Sequence, residues 1–214
     1  MGRKKLIRTN SGSYHIWARA NNKESFPIPI HQCWGIYDHY LNELTKRYRA
    51  QIHAFVLMKN HFHLVLSTPD ENIDQCMRYF MTQTSKGIGM ASGRINHVYG
   101  GQYGWTLIEC ASVYAVIIKY VYRNPIKAKI CERVEFYPWS TLTNQTRKHP
   151  LVSKPEFQFW IPKDFREFIG WLNEDSFPEF ESELWTSIKR NGTFKIPKDR
   201  GRNMLDLDKY IMRR

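Results

Sequence analysis

The chain has 214 residues, a length that suits one large domain or one domain with an extension. Its 32 Lys and Arg residues outnumber 20 Asp and Glu residues, and the formal net charge of +12 predicts a polyanionic partner. The four cysteines form no Cys-x-x-Cys pair and no apolar stretch reaches the ~18 residues of a membrane span, so we expect a cytoplasmic protein without zinc knuckle, disulfide framework or membrane segment.

The first half of the chain shows an alternation of strand and helix patterns. A strand is predicted from Tyr14 to Arg19, and an amphipathic helix follows over about 34–48, with apolar residues at spacings of three and four. Two further strands, 52–58 and 62–67, are joined by a short polar turn. A short turn between two apolar segments is typical of a β-hairpin.

A second helix is predicted over about 74–91 with Asp74 as a possible cap, and a fourth strand over 105–109. A third helix then begins, with Ser112 as its candidate cap. The order βαββαβ followed by a helix predicts an α+β, ferredoxin-like antiparallel sheet. Two helices should cover one face of this sheet, and the third helix can reach the other.

Residues 141–214 form a basic, aromatic-rich extension that follows the predicted domain of residues 1–140. Helical patterns are visible over 165–172 and 179–190. Its aromatic residues can stack on unpaired bases or pack in a small core, and their clustering favours packing. The residues concerned are Phe157, Phe159, Trp160 and Trp171.

The most informative feature is the sequence His61-Phe62-His63 inside a predicted strand. Side chains in a strand alternate between its two faces, so both histidines point one way while Phe62 points into a core. Two neutral imidazole nitrogens on one face suit a divalent metal ion.

A tyrosine and an asparagine stand four residues apart on the third helix. Tyr120 and Asn124 therefore share a helical face, and Tyr122 is turned away. Pro125 is expected to end or kink the helix and to restrict Asn124. Taken alone, the pair has a simpler interpretation, in which Tyr120 packs in the core and Asn124 is a helix cap.

Three ordered motifs together resemble one protein family. They are FVLMKNHFHLVL at 55–66, YVYRNPIKA at 120–128 and YPWS at 137–140. This combination resembles the HUH single-tyrosine transposases, and most closely the REP-associated tyrosine transposases with an IS200-like transposase domain. The resemblance covers about residues 13–140. Lys59 stands where many members of the family have proline, which alters the turn but removes no metal ligand.

The resemblance implies that residues 1–140 are the catalytic domain of a transposase. By this resemblance, His61, His63 and Asn124 hold a divalent metal ion, Mg2+ or Mn2+, and Tyr120 is the nucleophile. The expected reaction is attack on a single-stranded or hairpin DNA phosphate, which gives a 5′-phosphotyrosyl enzyme and a free 3′-hydroxyl that can later be rejoined. Such proteins act as monomers or homodimers, and the sequence does not choose between these.

Basic residues near the expected nucleophile are candidates for binding DNA phosphates. The candidates on or just after the third helix are Lys119, Arg123 and Lys127, although a solvated helix face explains them equally well. Arg200 and Arg202, in the extension, are candidates for contacts with a DNA hairpin.

Three other functions compete with this interpretation. A non-catalytic single-stranded nucleic-acid-binding module can share the fold, but the RNP1 pattern of RNA recognition motifs is absent. A second alternative is a metal-dependent or histidine-based phosphodiesterase in which His61 and His63 work without a tyrosine. The histidine-only type usually requires two separated His-x-Thr or His-x-Ser motifs, and the chain has none. A replication initiator or relaxase of the HUH class would share the chemistry, but the small size and the lack of a helicase-like segment favour a transposase.

Overall fold

The order of strands and helices follows the prediction from the sequence. The computed structural model describes residues 5–143, 161–162, 164–174 and 192–194. Within them the strands are β1 (Ser13–Arg19), β2 (Gln51–Leu57), β3 (His61–Ser67), β4 (Gly104–Ile108) and β5 (Gly192–Thr193). The helices are α1 (Ile30–Tyr48), α2 (Ile73–Ser92), α3 (Ala111–Lys127) and α4 (Phe165–Asn173). The predicted α+β class is therefore confirmed.

The strands form one sheet in the order β2-β3-β1-β4-β5. All pairs among β1 to β4 are antiparallel, and the central position of β1 and β3 is that of a ferredoxin-like sheet. β5 pairs with β4 in parallel. This last strand was not predicted, because a strand of two residues has no recognisable periodicity.

One face of the sheet packs against α1 and α2. Alternation places Ile16 of β1 and Phe62 of β3 on this face, where both are fully buried. The Phe62 ring lies 5.5 Å from the Tyr37 ring of α1 and 5.7 Å from the Phe80 ring of α2, between ring centroids. The two amphipathic helices thus turn their apolar faces to the sheet, as predicted.

The other face of the sheet packs against α3. Val56 of β2 and Val65 of β3 share an apolar cluster with Ile117 and Val121 of this helix. The prediction that a third helix covers the open face is confirmed. Because side chains alternate along β3, every second residue from His61 onwards faces α3 rather than the core that contains Phe62.

Both predicted helix caps are wrong. Cys110 occupies the N-cap position of α3, so Ser112 already lies within the helix, and no side chain caps this end. Asn72 is the N-cap of α2, and the Asp74 carboxylate instead accepts hydrogen bonds of 3.1 and 3.0 Å from Arg8. The carboxylate that the local sequence predicts as a helix cap is therefore bound by Arg8, a residue distant in the chain.

Pro125 does not end α3, which continues to Lys127. Proline has no N–H to donate to the carbonyl oxygen four residues earlier, here that of Val121. The Asn124 side chain compensates, since its Nδ2 donates to the carbonyl oxygens of Tyr120 at 2.9 Å and Val121 at 3.4 Å. An internal proline is therefore accommodated by the residue that precedes it.

The predicted helix over 165–172 is confirmed as α4. It begins at Asp164, whose Oδ1 accepts hydrogen bonds from the backbone N–H groups of Arg166 and Glu167. Trp171 and Leu172 are buried against α3, so Trp171 packs in the core rather than presenting its ring to a base. The predicted helix over 179–190 lies outside the described residues, as do Phe157, Phe159 and Trp160. Among the described helices, none is both long and apolar enough to cross a membrane.

Candidate active site

The two histidines of the central motif lie on the α3 side of the sheet, at the start of β3. The His63 side chain is buried, with 3% of its surface exposed, whereas His61 is partly exposed. Their ring centroids are 5.2 Å apart. The alternation of β3 has thus placed two imidazoles side by side, as the sequence predicts.

Tyr120 of α3 lies directly over the second of these histidines, His63. Its ring centroid is 5.2 Å from that of His63, with the ring planes nearly perpendicular. The phenol is buried, with 5% of the residue exposed. Strand β3 and helix α3 therefore bring the two predicted halves of the site together.

Asn124 follows Tyr120 by one helical turn and is also buried. Because its Nδ2 donates to backbone carbonyls of α3, the amide orientation is fixed and Oδ1 is the acceptor end of the side chain. An amide oxygen is one of the ligand types that divalent ions accept.

A third histidine, His15, belongs to the site and was missed in the sequence. Its Nε2 lies 2.9 Å from His63 Nδ1, and its ring centroid lies 5.5 Å from that of Tyr120. On its other side it stacks on the Trp17 indole, with centroids 5.2 Å apart. The signal was present in β1, because Tyr14 and Ile16 face the core and the residue between them must face α3.

Asn60, in the turn before β3, holds the ring of His61. Asn60 Nδ2 donates to the Lys23 carbonyl oxygen at 2.7 Å, so its Oδ1 is the atom 2.7 Å from His61 Nδ1. An amide oxygen only accepts hydrogen bonds, and His61 Nδ1 must therefore carry a proton. The lone pair of a neutral His61 is then on Nε2, the form in which such a nitrogen binds a metal ion.

The same logic applies to His63 through its contact with His15. If His63 Nε2 binds a metal ion, His63 Nδ1 carries the proton and donates to His15 Nε2. Each histidine of the motif thus has a neighbour that can select the metal-binding tautomer. Neighbours of this kind orient the ligands in many metal sites.

Burial raises the pKa of the Tyr120 phenol well above its ordinary value, and the polar side chain of Asn124 and the charge of Arg19 lower it in part. Arg19 is paired with His61 in the register of β1 and β3, so its position beside the site follows from strand pairing. A buried phenol is a weak nucleophile unless a positive charge stabilises the phenolate.

The donor set of the site fits a divalent ion. The described residues include no group of three or more His, Cys, Asp and Glu side chains placed to hold a metal ion. The predicted set consists instead of two imidazoles, from His61 and His63, and the amide oxygen of Asn124. Nitrogen and neutral oxygen donors of this kind are compatible with Mn2+ and, with weaker preference, Mg2+.

The predicted DNA-binding residues of α3 have different environments. Lys119 is buried, with its Nζ 5.1 Å from the centroid of the Trp171 ring. Arg123 Nη1 donates to the carbonyl oxygens of Leu172 and Glu174 at the C-terminal end of α4. Both side chains attach α4 to α3, and their role in DNA binding stays a prediction. Lys127 is exposed, and Arg200 and Arg202 lie outside the described residues.

The comparison with protein families decides the identity of the chain. The model of the family described as "Transposase IS200 like" matches residues 9–124, which is more than half of the chain. This protein belongs to the IS200-like transposase family. The match includes β1 to β4, both histidines of the motif, Tyr120 and Asn124.

Solved structures support the fold of this IS200-like transposase. The structure of a REP-associated tyrosine transposase bound to a REP hairpin has 18% sequence identity and a TM-score of 0.58, and the match covers 71% of this chain and 88% of that one. A Deinococcus radiodurans protein provisionally described as a transposase has 15% identity, 56% and 94% coverage and a TM-score of 0.38, which is too low to support an argument. The sequence matches no curated protein.

Proposed function

We propose that this transposase cleaves and rejoins DNA strands, with Tyr120 as the nucleophile. The observation that carries the proposal is the position of the Tyr120 ring 5.2 Å from the His63 ring, in one chain and at one end of the sheet. A phenol beside a pair of tautomer-controlled imidazoles is the arrangement that metal-assisted attack on a phosphodiester requires.

In the proposed reaction, the Tyr120 oxygen forms a bond to a DNA phosphorus atom as the bond from that phosphorus to the 3′ oxygen breaks. The 3′ oxygen leaves and takes up a proton, and the 5′ phosphate remains on the tyrosine. Attack of a 3′-hydroxyl on the phosphotyrosine reverses these steps and restores the phenol. Because the energy of the phosphodiester bond is kept in the phosphotyrosine, rejoining needs no nucleotide triphosphate.

His61, His63 and Asn124 are the residues proposed to hold a Mg2+ or Mn2+ ion. When bound, such an ion neutralises charge on the phosphate oxygens and favours the phenolate. Asn60 and His15 hold the two imidazoles in place, and Arg19 adds a positive charge near the phenol.

The proposed substrate is single-stranded DNA that carries a hairpin. A net charge of +12 favours a nucleic-acid partner. One protein of similar fold has been solved with a REP hairpin. For the whole chain we propose a catalytic domain of residues 1–140 and a basic extension of residues 141–214.

Formation of a covalent protein–DNA adduct tests the proposal. Labelled single-stranded DNA with a hairpin is incubated with the protein and Mg2+ or Mn2+, and adducts are resolved on a denaturing gel. We expect an adduct with the wild type and none with Tyr120→Phe, whereas His63→Ala should slow its formation by 100-fold or more, roughly the scale of metal assistance.

Tyr122→Phe is the matched control, because this neighbouring tyrosine of α3 points away from the site and its hydroxyl lies 3.0 Å from Thr141 Oγ1. Its adduct formation should equal that of the wild type. Cleavage that persists in Tyr120→Phe would contradict the assignment of the nucleophile. Tight binding without any adduct, over a panel of hairpin substrates, would favour a non-catalytic binding module.

A further inference from the structure

A groove lies between α2 and the segment 97–105, on the side of the sheet opposite α3. Its volume is about 910 Å³, which is large enough for a ligand the size of one or a few nucleotides. No part of it belongs to the candidate active site, whose side chains face α3.

The walls of the groove carry positive charge and hydrogen-bonding groups. Arg78 and Lys86, two turns apart on α2, are exposed along it, and His97 stands on the opposite wall. The one carboxylate of the lining, Asp74, forms an ion pair of 3.0 Å with Arg8, so its charge is compensated. The groove therefore presents a net positive charge to a ligand.

The inner part of the groove is apolar and aromatic. Its lining includes Met77 and Met81 of α2, the buried Trp105 and the half-buried Tyr103. Thioethers and aromatic rings below a cationic rim match the two parts of an unpaired nucleotide, the base and the phosphate. A duplex does not offer the flat face of a base to such a groove, because its bases are stacked on one another inside the helix.

Backbone hydrogen bonds connect the groove with the candidate active site. Gly100 of its wall donates its N–H to the carbonyl oxygen of Arg19 at 3.0 Å, and Arg19 is paired with His61 in the sheet. Ala20, the next residue of the chain, forms a β-bridge with Tyr99. The groove thus begins at the same end of the sheet as the catalytic histidine pair, on its other face.

We propose that this groove binds an unpaired segment of the DNA strand that Tyr120 cleaves. The inference rests on the proposed function and adds a second contact region, in which Arg78 and Lys86 bind phosphates and the apolar inner part receives bases. The strand would pass around the end of β1 between the two regions. Contacts of this kind fix the position of the scissile phosphate without taking part in the chemistry.

The test measures binding in the presence of a metal chelator, so that it does not depend on cleavage. The probe is fluorescent oligo(dT) of about 20 nucleotides, long enough for a single-strand site, and its affinity is measured by anisotropy at several salt concentrations. For the double variant Arg78→Ala, Lys86→Ala we expect about tenfold weaker binding, and a salt slope reduced by about 1.4, as for two lost phosphate contacts.

The matched control is Lys46→Ala, Arg47→Ala, which removes the same charge from exposed positions near the end of α1. It should reduce affinity by less than about threefold, since only long-range attraction is lost. Tyr103→Ala should weaken binding without a change in salt slope, because a stacking contact releases no counterions.

Equal affinity and equal salt slope for wild type and the Arg78, Lys86 double variant would overturn the proposal. So would an equal loss in the control variant, or a wild type that does not bind oligo(dT). The covalent adduct assay tests the proposed function and is independent of this binding measurement. A protein that binds oligo(dT) through the groove and forms no adduct would contradict the proposed function and leave the groove assignment in place.

Discussion

The two histidines of the candidate site have the same chemical type but different hydrogen-bonding neighbours. Histidines 61 and 63 look alike in the sequence, yet Asn60 orients the first and His15 the second. Neither neighbour would itself bind the metal ion. Their effect is on the tautomer and the ring angle, and groups of this kind commonly change metal affinity 10- to 100-fold.

Asn60→Ala should therefore weaken Mn2+ binding by about 10-fold, because His61 loses the acceptor that keeps its proton on Nδ1. Isothermal titration calorimetry with Mn2+ and the DNA-free protein measures the affinity. Asn42→Ala is the control, since the Asn42 amide donates to the Asp38 carbonyl oxygen within α1 and lies outside the candidate site. Unchanged Mn2+ affinity in Asn60→Ala would show that Asn60 does not orient the ligand.

Another buried histidine, His53, has no part in the proposed chemistry. Ser67 Oγ donates to Gln51 Oε1, so it must accept from His53 Nε2, and Tyr114 then donates to His53 Nδ1. The hydrogen bond from Tyr114 needs the lone pair of Nδ1, which only a neutral ring has. Burial lowers the pKa of His53 from its ordinary value of 6.5 to about 4.

This lowered pKa predicts a loss of stability in acid. Between pH 6.5 and about 4, the unfolded chain binds a proton at His53 and the folded protein does not, so the free energy of unfolding falls as the pH decreases through this range. The full effect is ~3 kcal/mol. Chemical denaturation from pH 7 to pH 4 measures it, and His53→Gln should flatten this part of the curve. His31→Gln, on the exposed surface of α1, should leave the curve unchanged.

At the scale of elements, the pairing of β1 with β4 positions Trp17, the residue that stacks on His15 of the candidate site. Gly104 begins β4 opposite Trp17 of β1, and the Trp17 indole packs directly on the glycine backbone. The same indole stacks on His15. The absence of a side chain at Gly104 thus determines where Trp17, and through it His15, can lie.

Gly104→Ala should destabilise the protein by about 1–3 kcal/mol, because a Cβ at this position would overlap the Trp17 ring and force it to move. Thermal unfolding followed by circular dichroism measures the loss. Gly101→Ala is a matched control from the preceding loop, since its Cβ would meet no atom within 4 Å. Equal melting temperatures for the two variants would show that Trp17 can move without cost.

The ends of the elements were predicted less well than their existence. Local sequence offered Asp74 and Ser112 as caps, but Arg8 binds the first and α3 begins one residue before the second. The helix also passes through Pro125 because Asn124 supplies a substitute donor. The ends of the helices depend on contacts between residues that are far apart in the chain and on side-chain rotamers. The periodicity of apolar residues gives no information about either.

At the scale of the whole molecule, the region after residue 140 contributes to the core of the preceding residues. Leu172 of α4 and Phe194 next to β5 belong to the apolar cluster that surrounds α3. Arg123 binds the C-terminal end of α4, and β5 extends the sheet at β4. The helix that carries Tyr120 is thus packed between the sheet and α4.

Leu172→Ala should therefore destabilise the protein by about 2–5 kcal/mol, as expected for a fully buried leucine, and should lower the single melting transition of the whole molecule. Phe165→Ala, at the exposed start of the same helix, should have little effect. Two separate transitions, with the main one unaffected by Leu172→Ala, would show instead that α4 unfolds independently of the sheet and α3.

The sequence by itself determined the family, the order of the elements and the face on which each histidine of the motif lies. These follow from local periodicities and from residues close together in the chain, so no folded structure is needed to recognise them. The metal ligands and the nucleophile remain predictions, but the structure places Tyr120 and His63 in contact, as they require.

Only the tertiary structure decided which other residues surround that pair. His15 contacts His63 because β1 pairs with β3, and the same register places the charge of Arg19 where it lowers the pKa of the Tyr120 phenol. Lys119 and Arg123 contact a helix that lies more than forty residues further along the chain. Contacts of this type arise when distant segments pack, and a pattern in a single sequence does not encode which distant partner a side chain meets.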